Sequence, residues 1–135
     1  MPLLQSSQVA ARIPAVDLER AVAFYRDKLG LEPAERRPGG ARYLCGSGEF
    51  VLFQSAGRAS GTHTQLAFEV DDLETTVREL RARGVVFEDY DLPGLKTAGG
   101  IAEIAGNYPS KGRADRGAWF RDSEGNVIGI GQPVR

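Results

Sequence analysis

The sequence predicts an α+β fold made of two βαβββ modules, with a curved mixed sheet and helices on its outer face. Three observations predict it. Two amphipathic helices open with nearly the same residues, the same order of β-like segments surrounds each, and turn residues punctuate the chain throughout. Seventeen glycines and seven prolines in 135 residues suit a sheet-rich chain better than a helix bundle.

The first helix is read from Leu18, Ala21, Val22, Tyr25 and Leu29, which recur at helical spacing and form one apolar stripe, while Glu19, Arg20, Arg26, Asp27 and Lys28 fall largely on the other side. Asp17 is its expected N-cap, because a carboxylate there can accept from free N–H groups of the first turn. Gly30 is its expected left-handed stop. The second helix carries the stripe Leu73, Thr76, Val77 and Leu80, with Asp71 or Asp72 as cap and Gly84 as stop. The openings Asp17-Leu18-Glu19-x-x-Val22 and Asp72-Leu73-Glu74-x-x-Val77 are nearly one text.

The strands follow the same duplication. Residues 9–16 and 62–70 precede the helices, and residues 31–37 and 85–90 follow them. Each half then closes with a hairpin: 41–46 with 49–55, and 117–121 with 126–132. The chain therefore reads as one domain over 1–135, with modules at about 8–58 and 61–133. The second module contains an inserted loop at about 91–116, rich in turn residues, expected to act as a lid or partner arm if it has a function.

Charge and cysteine content narrow the function classes. Seventeen basic against eighteen acidic residues, a net charge of −1, argue against nucleic acid or an anionic membrane as the main partner. No apolar run approaches the roughly 20 residues of a membrane span. Residues 1–12 lack the basic start and long apolar stretch of a secretion signal. The single cysteine, Cys45, excludes an internal disulfide framework and is read as a small apolar side chain. A cytoplasmic protein is expected.

Residues 13–31, with Phe24-Tyr25 followed by Leu29-Gly30-Leu31, resemble the first-helix signature of the glyoxalase/bleomycin-resistance/dioxygenase (vicinal-oxygen-chelate) superfamily. Phe120-Arg121-Asp122-Ser123-Glu124-Gly125-Asn126 resembles that family's closing Asp-Pro-Asp-Gly-Asn hairpin, with Ser123 and Glu124 as departures. The resemblance implies paired βαβββ modules, usually in a homodimer, around a small-molecule cavity. It does not fix function, since the family includes lyases, isomerases, dioxygenases, thiol transferases and inert drug-binding proteins.

Metal-using members hold a divalent ion with His and Glu side chains on the first and last strands of each half, donors that suit such an ion. Carried over, those positions fall on Ala11, on Val51-Leu52-Phe53 with Gln54 the nearest polar group, on Gln65 and on Gly129. None is an ordinary strong ligand, and His63 is the only histidine. The reading is therefore metal-free and without cofactor; Glu69, Glu103 or Asp115 are the remaining carboxylates that could hold an ion.

Strand alternation assigns the cavity. Leu66, Phe68 and Val70 should pack on the helices, leaving His63, Gln65, Ala67 and Glu69 on the concave side. Ala118, Phe120, Ile128 and Ile130 should be core, leaving Trp119, Arg121, Val127, Gly129 and Gly131 facing the cavity, with Tyr43 and Cys45 on the corresponding surface of the first half. Expected ligand-binding residues are Tyr43, His63, Gln65, Ala67, Trp119, Arg121 and Gly129, the glycine leaving room for a ligand. The function this favours is a homodimeric binding protein for an aromatic or antibiotic-like ligand. The alternative is a glyoxalase-like lyase, isomerase or dioxygenase with an unusual or absent metal site, using His63, Glu69 or Tyr108 as acid–base groups. A partner-binding module using the 91–116 loop ranks third.

Overall fold

The computed structural model describes residues 3–135; Met1 and Pro2, the start of the N-terminal segment read above, lie outside the described residues. The first module comprises β1 (Ala11–Ala15), α1 (Leu18–Leu29), β2 (Glu35–Arg37), β3 (Gly40–Cys45) and β4 (Gly48–Gln54). The second comprises β5 (Thr64–Glu69), α2 (Leu73–Ala82), the short pair β6 (Asp91–Leu92) and β7 (Leu95–Lys96), then β8 (Ala102–Ala105), β9 (Ala114–Arg121) and β10 (Val127–Val134). Two open four-stranded mixed sheets result, ordered β1-β4-β3-β2 and β5-β10-β9-β8. In each, the strand before the helix pairs in parallel with the last strand, and the others pair antiparallel.

Both helix starts are built alike. Asp17 accepts from the Arg20 N–H at 3.0 Å and Asp72 from the Thr75 N–H at 3.1 Å, so Asp72 and not Asp71 is the second cap. The Leu18 N–H donates to Gln54 Oε1 at 3.2 Å, and the Leu73 N–H donates to Gln132 Oε1 at 2.9 Å. The duplication thus extends to side-chain amides on the last strand of each half, each satisfying a helix N–H that has no intrahelical partner. Gly30 ends α1 at φ 71°, a conformation that glycine adopts without strain.

Two expected strands differ in the structure. Of residues 31–37 only Glu35–Arg37 pair, because Leu31 donates its N–H to Tyr25 at the helix end and Pro33 has no N–H to offer. Residues 85–90 form no strand and touch the sheet through an isolated bridge between Phe87 and Phe120. The Asp89 carboxylate accepts from Thr97 Oγ at 2.9 Å and from the Gly100 N–H at 3.1 Å, which turns the chain away from the sheet edge. The vacated edge position goes to β8. The stretch expected as an inserted loop therefore contains a hairpin, the edge strand and the start of β9. The hairpin turns at Pro93-Gly94, with Gly94 at φ 77° as the second turn residue requires.

Apolar faces of both sheets pack on the helices in two clusters, one around Ile13, Tyr25, Tyr43, Phe50 and Leu52, the other around Leu73, Val77, Phe87, Phe120 and Ile128. Phe24, Leu29, Leu66 and Phe68 pack against both clusters, and Phe50 meets Phe68 edge to face at 6.0 Å. The two halves therefore share one apolar seam.

A polar seam lies beside it. The Tyr25 hydroxyl on α1 donates to Asp122 Oδ2 at 2.8 Å, and Asn126 Nδ2 donates to the same oxygen at 2.9 Å and to the Pro14 carbonyl at 3.1 Å. Asp122 Oδ1 accepts from the Glu124 and Asn126 N–H groups at 2.8 and 3.0 Å. Burial, with the Asp122 carboxylate beside it, holds the Tyr25 phenol well above its ordinary pKa. Glu124 accepts from the Asp17 N–H at 2.9 Å and from Arg20 Nε at 2.8 Å, with its side chain only 1% exposed. Burial opposes the Glu124 charge, but Arg20, the Asp17 N–H and Ser123 outweigh it and hold the carboxyl at about 2.

Replacing Asp122 by Ala strands a buried phenol, an amide and two N–H groups, and is expected to cost about 3 kcal/mol or more; Tyr25→Phe is expected to cost about 1–2 kcal/mol. Urea denaturation followed by far-UV circular dichroism measures both, and an unchanged midpoint in Asp122→Ala contradicts the assignment. The depressed Glu124 carboxyl stabilises the fold above the ordinary Glu pKa of about 4.3, and that stability is lost as pH falls toward about 2. Melting temperatures recorded over that interval should fall less steeply in Glu124→Gln than in the parent chain, and parallel profiles would remove this role.

Candidate functional site

On β9, Ala118 and Phe120 are buried in the core, so Gly117, Trp119 and Arg121 occupy the other face. The Trp119 indole lies back across that face. A Cβ on Gly117 would stand 3.0 Å from the ring atoms Cη2 and Cζ2, and one on Gly129 would stand 3.4 Å from Nε1. The two glycines are the seat of the indole. Gly129 was expected to leave space for a ligand; Trp119 lies against that space instead. Tyr90 meets the indole edge on, with centroids 5.7 Å apart and planes at 71°, a favoured aromatic geometry. The Glu88 N–H, bonded to the Trp119 carbonyl at 2.7 Å, ties the segment carrying Tyr90 to β9.

Around this pair opens a cleft of about 530 Å³, within the range of small-molecule sites. Thr62, His63 and Thr64 form one side, and Leu92 and Leu95 of the β6–β7 hairpin the other, with Ile104 and Val127 completing the apolar lining. Its polar groups are few and oriented. His63 Nδ1 lies 3.2 Å from the Ser60 hydroxyl, and no partner among the described residues engages Nε2. Arg121 Nε donates to Glu88 Oε1 at 2.7 Å, fixing the guanidinium at the rim. No acceptor among the described residues takes the indole N–H or the Tyr90 hydroxyl proton. Burial, then the Glu88 charge, raises the Tyr90 pKa, against a smaller opposing effect of Arg121, so the phenol is a proton donor at neutral pH.

Of the expected site residues, the structure gathers His63, Trp119 and Arg121 in this cleft. Tyr43 is 1% exposed and stacks on Phe50 at 4.7 Å, because it shares the helix-facing side of β3 with Ala41. Its expected place on the open surface is thus corrected. Gln65 is the residue skipped where the β5–β10 register shifts, and it does not line the cleft. Ala67 and Glu69 line a different hollow together with Cys45 and Phe50. Glu69 pairs with Lys111 at 2.9 Å, and Tyr108 is 77% exposed. His63 and Glu69, six residues apart along extended chain, are separated by about 20 Å. These three residues therefore form no acid–base constellation. Tyr90, Leu92, Leu95 and Ile104 were not foreseen, although Leu92-Pro93-Gly94-Leu95 is a legible turn between apolar residues.

The positions that hold a metal in metal-using relatives do not fit one here. Ala11 and Gly129 carry no donor, and the Gln54 amide is engaged at both ends, accepting from Leu18 N–H and donating to the Val16 carbonyl. Among the described residues no three His, Cys, Asp or Glu side chains gather where they could hold an ion, Glu69, Glu103 and Asp115 included. Weak donors at dispersed positions do not make a divalent site.

Gly117→Ala should shift the indole by a few tenths of an ångström, since the added methyl would sit 3.0 Å from the ring. Trp119 is the only tryptophan, so near-UV circular dichroism and emission wavelength report it directly. The expected result is an altered indole signal with unchanged far-UV signal; identical near-UV spectra would show that the ring does not rest there.

Residues 7–130 match the model of the Glyoxalase/Bleomycin resistance protein/Dioxygenase superfamily. No curated protein matches the sequence. Among solved structures, a glyoxalase/bleomycin resistance protein/dioxygenase from Alicyclobacillus acidocaldarius has a TM-score of 0.69 at 17% identity, covering 96% of this chain and 93% of that one. A lactoylglutathione lyase from Agrobacterium tumefaciens has a TM-score of 0.62 at 22% identity, covering 94% and 93%. An antibiotic-binding protein from a Streptomyces species has a TM-score of 0.63 at 22% identity, covering 98% and 100%. At these identities the likeness is one of fold.

Proposed function

We propose that this chain, which belongs to the glyoxalase/bleomycin-resistance/dioxygenase superfamily, binds a planar aromatic small molecule in the Trp119 cleft without a metal ion and without altering it. The observation that carries the proposal is the composition of the cleft: an indole and a phenol in edge-to-face contact, an apolar lining, and separate polar groups from His63, Tyr90 and Arg121 at its margin. Aromatic rings supply area and stacking at little entropic cost, and a few fixed donors set ligand orientation. The absence of a clustered donor set among the described residues at the family's ligand positions supports recognition by shape and hydrogen bonding. The fold shared with an antibiotic-binding protein fits a ligand of natural-product type. A cytoplasmic homodimer belongs to the same proposal, with oligomeric state read by light scattering.

The catalytic alternative draws on the fold shared with a lactoylglutathione lyase. Titration with a panel of planar aromatic compounds, followed by Trp119 fluorescence, with mass spectrometry of the recovered ligand, separates the two. Saturable quenching and ligand returned intact are expected. Trp119→Ala should weaken binding by about tenfold or more in calorimetry, the equivalent of about 1.4 kcal/mol. Conversion of the bound compound would contradict the non-catalytic reading.

A further inference from the structure

A second cavity, of about 440 Å³, lies on the first module, on a different sheet from the Trp119 cleft and sharing no lining residue with it. Four arginines line it: Arg12 from β1, Arg36 and Arg37 from β2, and Arg42 from β3, with Val51 of β4 as apolar lining and Glu35 as the one lining carboxylate.

Two of these cations are neutralised. Arg42 is held between Glu35 at 3.0 Å and Glu49 at 2.8 Å, and Arg36 pairs with Glu19 at 2.5 Å. The other two are anchored without an acid. Arg12 lies over the Phe53 ring at 4.8 Å, a cation–π arrangement that orients the guanidinium and leaves its charge in place. Arg37 folds across Gly40, its cross-strand partner: a Cβ there would stand 3.2 Å from Arg37 Cγ and Nε. Neither Arg12 nor Arg37 has a carboxylate within ion-pair distance among the described residues.

From this arrangement we propose that the Arg12–Arg37 cavity is a binding site for a small organic oxyanion, a phosphate monoester or carboxylate attached to an apolar body. Guanidinium forks match such oxyanions in geometry, and two of them presented to one cavity supply the charge. Val51 offers contact to the apolar part. The carboxylates Glu19, Glu35 and Glu49 surround the arginines and break the basic surface into one compact spot, which suits a single anionic group and not an extended polyanion. The site is independent of the aromatic cleft and stands or falls apart from it.

Titration of the full chain with phenyl phosphate, monitored through ¹⁵N-labelled arginine Nε–H resonances, tests the proposal, with inorganic phosphate and phenol as the two half-probes. Saturable shifts centred on Arg12 and Arg37 are expected with phenyl phosphate, weaker ones with inorganic phosphate, and none there with phenol. The double variant Arg12→Gln/Arg37→Gln should weaken phenyl phosphate by about tenfold or more, and Trp119→Ala should leave it unchanged. Val51→Glu, which keeps both arginines and sets a carboxylate beside them, should abolish the shifts in a chain whose circular dichroism is unaltered. Non-saturating shifts spread over all arginines, or unchanged affinity in either arginine-site variant, would overturn the site.

Discussion

One buried carboxylate organises the way the two halves meet. Asp122, in the closing hairpin of the second module, receives the Tyr25 hydroxyl from the first helix, the Asn126 amide and two backbone N–H groups. A buried anion with that many donors is satisfied only when α1 and the β9–β10 hairpin are in register, and losing any donor leaves a costly unpaired group. The same hairpin carries Glu124, whose longer side chain reaches the start of α1 where the family motif has Asp. The apolar seam of Phe24, Leu66 and Phe68 supplies area between the modules, and the carboxylate supplies the register.

That register has consequences at the cleft. β9 and β10 leave the hairpin with Phe120 and Ile128 turned to the core, so Trp119 emerges on the opposite face, over Gly117 and Gly129. The indole position is therefore set by the strand pairing beneath it and not by the loop above it. The loop contributes Tyr90 and the Leu92–Leu95 hairpin, held by Asp89 and Thr97. A platform set by strand pairing with a wall built from a turn is an arrangement whose wall can vary while its architecture stays.

Much of the fold was legible in the sequence because its signals are periodic and duplicated. The helix stripes, the Asp caps and the two hairpins depend on spacing alone, and spacing survives without homologues. The alternation on β9 and β10 also identified Phe120 and Ile128 as core, and that on β5 identified Leu66 and Phe68 as packing on it. Tyr43 went astray because a short strand flanked by turns gives no independent sign of which face is buried, and one residue of slip reverses every side chain. Gln65 falls on a register shift, which no pattern of two can anticipate. The edge strand β8 was missed because its neighbours 85–90 look more β-like; what excludes them is the Asp89–Thr97–Gly100 hydrogen bonding, a contact across turns invisible in a linear reading. Gly129 was read as leaving space for a ligand, and the Trp119 indole lies against it; Gly117, which seats the same ring, was not singled out.

The aromatic cleft is proposed to hold its ligand by stacking and hydrogen bonds, with no coordinated ion. Elemental analysis of protein purified without chelator, paired with calorimetry of an aromatic ligand before and after exhaustive chelation, tests it most directly. Well under one equivalent of any divalent metal, and the same affinity in both titrations, are expected. One tightly held equivalent of metal, with binding abolished by chelation and restored by adding that metal back, would contradict it.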